Sequence, residues 1–327
     1  MKNNSVFKIA ILLLVSILVF YGCHVSGKSE QAEKRSIQFV YSVTVEDIPD
    51  DTKTLDLWIP VPQDFQNQTI RDVQIESDIP YQFTSDKEYG NKFVYLHSEN
   101  GIPDKLNLSL SFQATRRIAN HPDETILTET QLNAFLESDF LVPIDGRIKS
   151  EAMAVLGDQA DVIQKARTLY DHIVSTMDYD KSGEGWGRGD ALYACDIRKG
   201  NCTDFHSLFI GMARAGGIPS RFIMGIPLPD DKTTGVIPGY HCWAEYYVDG
   251  EGWYPLDASE ARKHPEKKDL LFNGLDADRI QFTIGRDIQL EPADRNPERQ
   301  NYMIYPLVLL DGAQYGKVST TFSFKDI

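Results

Sequence analysis

One stretch, residues 202–215, constrains this chain more than any other. Phe205, Leu208, Phe209, Met212 and Ala213 recur at steps of three and four, the apolar stripe of a helix. Gly216-Gly217 ends it, and Pro219 lies just beyond. Strand patterns follow at 221–226 and 241–248, then a turn at Gly250 and Gly252, then 253–257. Any fold for this chain has to carry a helix that feeds directly into strands.

The first turn of that helix carries Cys202. The partial positive charge at a helix start favours thiolate over thiol, and the thiolate is the nucleophile. His241 and Asp257 follow, each on an expected strand. Cys, His and Asp in that order suit a nucleophile, its base and the base's orienter, working on an amide or ester carbonyl. The last two meet only if the intervening turn has the right parity. His241, Trp243, Glu245 and Tyr247 share one strand face, and Trp253, Pro255 and Asp257 share one face of the next. A three-residue loop sets odd positions opposite odd ones, so His241 lies opposite Asp257 or one diagonal step away. A two-residue loop would put them on opposite faces.

The same residues allow plainer readings. A single Cys is commonly a small buried apolar residue. Cys202, His206, His241 and Cys242 imitate a zinc set, but Cys242 points away from the His241 face of its strand, which disfavours a metal. No metal and no cofactor is expected, and there is no Rossmann or P-loop signature. His206, four residues after Cys202, reads as a packing residue or a support behind the site. Asp204 reads as a helix-start acid and Glu260 as a solvated one. The N–H of Cys202 can hold an oxyanion, and Trp186, Tyr179 and Tyr240 are candidates for a second donor. The loop from Asp180 to Asp190, with four glycines, reads as a mobile border of the site.

Upstream, Ile37, Phe39, Tyr41, Val43 and Val45 alternate strictly. Leu55, Leu57 and Ile59 repeat the pattern and are expected to stop at Pro60. Val73 and Ile75, Phe93 and Tyr95, and Leu106 to Ala114 continue it. Period-2 strands between Pro, Gly, Asn and Asp turns suggest a β-sandwich over 35–118. Residues 119–150 read as a connector with a helical patch around Leu132, Phe135 and Leu136. Val162, Ala166, Leu169, Ile173 and Met177 mark a further helix. Beyond 265, strand signals at 279–284, 302–310 and 318–324 make 266–327 a β-rich extension.

At the N-terminus, Lys2 and Lys8 precede an apolar run from Ile9 to Tyr21, then Gly22-Cys23. These are the features of a secretory signal over 1–22, and a Cys after the small residue suggests lipidation at Cys23, although Phe20 stands where Leu is more usual. Residues 23–34 suit a tether. The chain is acidic, net charge −15. That argues against a nucleic-acid partner and against electrostatic adhesion to anionic lipid, leaving a lipid anchor as the membrane link. If Cys202 is the nucleophile, a Cys195–Cys242 bridge stays open.

Four segments together resemble the transglutaminase-like superfamily, in its bacterial exported branch. They are Gly200-Asn201-Cys202-Thr203-Asp204-Phe205-His206, Ala213-Arg214-Ala215-Gly216-Gly217-Ile218-Pro219, Gly239-Tyr240-His241-Cys242-Trp243-Ala244-Glu245 and Trp253-Tyr254-Pro255-Leu256-Asp257. The resemblance implies a papain-like α+β core over 151–265 and a Cys202-His241-Asp257 triad. The expected activity is acyl transfer on amide bonds through a thioester, by an exported, lipid-anchored peptidase or amidase of the cell envelope. Its expected partner is a peptide or protein, cell-wall peptide included. Two alternatives stay open: a transglutaminase that passes the acyl group to a Lys amine, and an inactive binding module on the same fold.

Overall fold

In the computed structural model, residues 33–99 and 101–327 are described. The expected signal segment, Cys23 and most of the tether lie outside the described residues.

The N-terminal strands are β1 (Lys34–Val45), β2 (Leu55–Val61), β3 (Gln68–Ser77), β4 (Tyr81–Ser85), β5 (Lys92–Ser98) and β6 (Leu106–Arg117). In β1 the apolar set from Ile37 to Val45 is buried while the residues between are half-buried, so alternation sorts side chains into core and surface. Strand β2 runs through Pro60 to Val61. Its partner on one side reaches only Trp58, so Pro60 lies beyond that ladder, where a missing N–H costs least.

Then come α1 (Glu129–Ala134), α2 (Gly146–Leu156), α3 (Val162–Thr176), β7 (Asp178–Tyr179), α4 (Ala191–Ile197), β8 (Lys199–Gly200), α5 (Cys202–Ala215) and β9 (Ser220–Pro227). These are followed by β10 (Thr234–Ile237), β11 (His241–Val248), β12 (Gly252–Leu256) and α6 (Ala258–Lys263). The C-terminal elements are β13 (Arg279–Ile284), β14 (Leu307–Leu310), β15 (Ala313–Gln314) and β16 (Val318–Asp326). The α2 and α4 helices had no sequence expectation. Each buries only three residues, too few to stand out as a stripe.

The result is a mixed α+β protein with three main sheets. Two five-stranded sheets, β10-β16-β1-β6-β3 and β15-β14-β2-β5-β4, make the sandwich. A four-stranded antiparallel sheet, β12-β11-β9-β13, carries the core. The C-terminal β-rich stretch supplies a strand to each sheet: β16 pairs with β1 from Ile37↔Asp326 to Val45↔Val318, β14 pairs with β2, and β13 pairs with β9. Edges of β1 and β2 that would otherwise be open are thereby paired.

Helix α5 lies at the centre of the core, packed by α2, α3, α4, α6, β9 and β11. Every residue from Cys202 to Arg214 is buried. A helix covered all round holds its polar residues only where each finds a partner.

Candidate active site

Asn201 caps α5. Its side chain accepts from the Thr203 N–H at 2.9 Å, and the Asp204 carboxylate reaches back to the Asn201 N–H at 2.9 Å, a reciprocal capping box. Cys202 is therefore the first helical residue, where its own N–H has no partner within the helix. Asp204 does more than start the helix. Its oxygens also accept from the N–H groups of Gly187 (2.7 Å) and Gly189 (3.1 Å), fastening the glycine-rich loop onto the helix end. Gly200 permits this approach, since a Cβ there would stand 2.3 Å from Oδ2 of Asp204. Burial pushes the Asp204 carboxyl up, and the three backbone donors oppose it. The loop read as mobile is thus held from inside. Arg286 grips it again, donating to the carbonyl of Gly189 at 3.1 Å.

The β11–β12 hairpin has a three-residue loop and pairs Glu245 with Pro255 and Tyr247 with Trp253. Odd positions oppose odd ones, and His241 stands one diagonal step from Asp257. Nε2 of His241 lies 2.6 Å from Oδ2 of Asp257. Asp257 itself is not a strand residue, as the sequence suggested. It follows β12 and caps α6, where Oδ1 accepts from the N–H of Glu260 (2.9 Å) and the hydroxyl of Ser259 (3.0 Å). One carboxylate therefore does two jobs, and the helix fixes its orientation for the imidazole. Arg279 of β13 donates a further bond to Oδ2 at 3.0 Å.

With Nε2 on Asp257, Nδ1 of His241 is the nitrogen left for Cys202, whose helix packs against β11. Burial presses the His241 imidazolium down, but the charge and bond of Asp257, followed by Cys202, outweigh it and push the ring up to about 10. The Cys202 thiol is held well below its ordinary range, first by a hydrogen bond from Cys242 and then, against burial, by His241. Burial also opposes the charge of Asp257, yet His241, His206 and Arg279 keep it well below the usual carboxylate range. These shifts favour a thiolate–imidazolium pair backed by a carboxylate. Cys202 is 2% exposed, so the pair is screened little by water.

Other expectations meet the structure as follows. Cys195, Cys202 and Cys242 are all free, so no Cys195–Cys242 bridge exists. Cys195 instead donates to Glu151 at 3.1 Å, and Cys242 lies beside His206. Cys242 alternates away from His241 as expected, and its sulfur lies 3.6 Å from Nδ1 of His206. Glu260 is half-buried rather than solvated, with Oε1 3.9 Å from Nε2 of His241. Among the oxyanion candidates, the Tyr240 hydroxyl accepts from Nδ2 of Asn201 at 3.1 Å, while Tyr179 lies under the Lys263 ammonium at 4.6 Å. Trp186 is half-buried on the loop. Arg279 and Arg286 went unread, because nothing local marks an Arg that arrives from a distant strand. The α6 cap was readable: Asp257-Ala258-Ser259-Glu260 has the spacing of a capping signature.

Residues 150–258 match the model of the transglutaminase-like superfamily. An uncharacterized protein of Haemophilus influenzae is 27% identical, over 72% of this chain and 75% of its own length. The uncharacterized protein YebA of Bacillus subtilis is 22% identical over 36% of this chain and 18% of its own. A solved structure from Cytophaga hutchinsonii, described as a candidate cysteine protease, has the same fold: TM-score 0.62, 18% identity, 91% of this chain and 92% of that one covered.

Proposed function

The core of this chain belongs to the transglutaminase-like superfamily, and from that premise we propose that the protein is a cysteine peptidase or amidase of the cell envelope. The carrying observation is the His241–Asp257 pair, 2.6 Å apart, on the strand and helix cap that pack against the helix beginning at Cys202. The Cys202 thiolate attacks the amide carbonyl carbon. The oxyanion that forms is held by the Cys202 N–H. Nδ1 of His241 gives its proton to the leaving amine, and the C–N bond breaks to leave an acyl-thioester. Water then attacks the thioester while His241 takes its proton. The carboxylic acid product leaves, ionising in solvent, and thiolate and imidazolium are restored. Asp257, held by α6 and Arg279, keeps the ring in place and stabilises its charge throughout.

Export and a lipid at Cys23 are supported by the N-terminal sequence pattern. Among the described residues no helix is long and apolar enough to cross a membrane. Peptides or proteins of the envelope are the substrate class that follows from that placement.

The test is acid-quenched mass spectrometry of the full-length protein with a panel of peptide amides. An acyl adduct on Cys202, with release of amine and then of acid, is the expected result, and Cys202→Ala abolishes both. Incorporation of a labelled amine into Gln-containing protein in place of hydrolysis would make it a transglutaminase. A folded protein that forms no adduct and turns nothing over would leave only a binding module.

A further inference from the structure

Two imidazoles face the carboxylate of Asp257. Nε2 of His241 lies 2.6 Å from Oδ2, and Nε2 of His206, one turn along α5 from Cys202, lies 3.5 Å from Oδ1. His206 and Asp257 are both completely buried. A carboxylate offers about four acceptor sites. Those of Asp257 are taken by the Ser259 hydroxyl and the Glu260 N–H on Oδ1, at 3.0 and 2.9 Å, and by His241 and Arg279 on Oδ2, at 2.6 and 3.0 Å. No site is left for a proton from His206. Its Nε2 has another partner, the backbone N–H of Ala258 at 3.2 Å. Ala258 is the first residue of α6, so its amide has no acceptor within the helix, and it is also completely buried. An amide hydrogen aimed at Nε2 requires a lone pair there. The ring is therefore neutral, with its proton on Nδ1 facing the Cys242 sulfur 3.6 Å away.

We propose that His206 is a positioning residue for Asp257: as a neutral acceptor of the Ala258 N–H, it fixes the start of α6 against α5 and leaves the carboxylate to His241. The inference rests on the reading of Cys202, His241 and Asp257 as the triad. Cys202 and His206 lie four residues apart on one face of α5. One helix thus carries both the nucleophile and the residue that sets its distance from the carboxylate. With an apolar residue at 206, the Ala258 N–H is left unsatisfied in the core, and the cap it adjoins, Asp257, loosens its hold on the imidazole.

The neutral state of His206 matters for the charge of its neighbours. A charged ring would bring a third cation to a carboxylate that His241 and Arg279 already hold, and would draw Oδ1 from the cap. Kept neutral, His206 leaves the attraction of Asp257 for the His241 imidazolium undivided. The other titratable groups around the pair are Cys202 on α5, Cys242 on β11, Glu260 on α6, Asp276 beside Arg279, and Tyr170 on α3. A substitution at 206 leaves each of these in the chain, so a change in the titration of His241 reports the loss of the Ala258 acceptor.

The experiment is nitrogen NMR of the full chain with isotope-labelled histidine, followed against pH. In the wild type, His206 is expected to show a protonated Nδ1 and a bare Nε2, and His241 to titrate at about 10. In His206→Leu the His241 midpoint is expected to fall by about one pH unit, the size of a weakened bond to a charged group. His206→Gln, whose side-chain oxygen can accept the amide, is expected to restore most of the loss. His206→Phe keeps a ring's bulk but accepts nothing, and is expected to behave as His206→Leu does, which separates acceptance from packing. Should both apolar variants fail to fold, the tautomer of wild-type His206 decides. A proton on its Nε2, or a His241 midpoint unmoved in folded His206→Leu or His206→Phe, overturns this inference alone. A wild-type His241 midpoint at the ordinary imidazole value overturns it together with the triad on which it rests.

Discussion

Strand β1 and helix α5 bury their side chains by opposite rules. In β1 the chain alternates, so Ile37, Phe39, Tyr41, Val43 and Val45 are inside and the residues between them half-buried, and the one polar side-chain atom those five take inside, the Tyr41 hydroxyl, donates to the carbonyl of Ile304 at 2.8 Å. Phe39 stacks on Phe112 of β6 at 5.1 Å, and Tyr41 meets Phe322 of β16 edge-on at 4.7 Å. In α5 the whole circumference is covered, and Thr203, Asp204, His206, Ser207 and Arg214 go inside with the apolar residues. Each is held by named partners: Asn201 for Thr203, the loop amides for Asp204, Cys242 and Ala258 for His206, Arg286 for Ser207, and Asp139 for Arg214. The sandwich is stable because of what it excludes. The core is specific because of what it pairs, and its chemistry grows out of those pairs.

That contrast can be broken in four ways. Phe112→Ala is expected to cost the most, about 4 kcal/mol in urea unfolding, because it removes a fully buried ring from the sandwich. It should leave the alkylation profile of Cys202 unchanged. Asp204→Ala is expected to cost about 3 kcal/mol, as three N–H groups, two of them buried, lose their acceptor, and to make the 183–189 loop a site of limited proteolysis. Here, unlike in the sandwich, stability and reactivity should fall together.

The pH dependence of stability comes next. The depressed Asp257 contributes above its unfolded value near 3.9, and that contribution is lost as pH falls through its lower folded value. The raised His241 contributes fully below about 6.5 and loses its contribution as pH rises through about 10. The depressed Cys202 thiol acts in the opposite sense up to its unfolded value near 8.5 and offsets His241 there, so urea midpoints should decline between about 8.5 and about 10, and His241→Ala should flatten that decline. Finally, Phe83→Ser on β4, at a ring 54% exposed, is expected to change stability by no more than about 0.5 kcal/mol. A loss comparable to that of Phe112→Ala would mean that the outer face of the sandwich is covered.

The two regions also differ in how far their sequence could be read. The period-2 runs of β1 and β6 are local signals and mark their strands directly. The pairing of β1 with β16 is not local, since Ile37 meets Asp326 across nearly the whole chain, and no pattern in either strand names its partner. In the core, the Cys helix and the hairpin parity were legible because both follow from spacing. The supports around them were not. Arg279 arrives at Asp257 from β13, and His206 of α5 meets Cys242 of β11 and the N–H of Ala258. Such contacts depend on where a helix end sits over a sheet, which spacing does not encode. The short helix α6 was hidden for a different reason. Its capping signature coincides with the end of a strand, and the strand pattern dominated the reading of Asp257.

The central claim is that Cys202 rests as a thiolate paired with an imidazolium. The most direct measurement is the rate of Cys202 alkylation against pH in the wild type and in His241→Ala. The account predicts a wild-type midpoint well below 9 and a clear rise toward the ordinary thiol value when His241 is removed. A wild-type midpoint near 9 that His241→Ala leaves in place would contradict it.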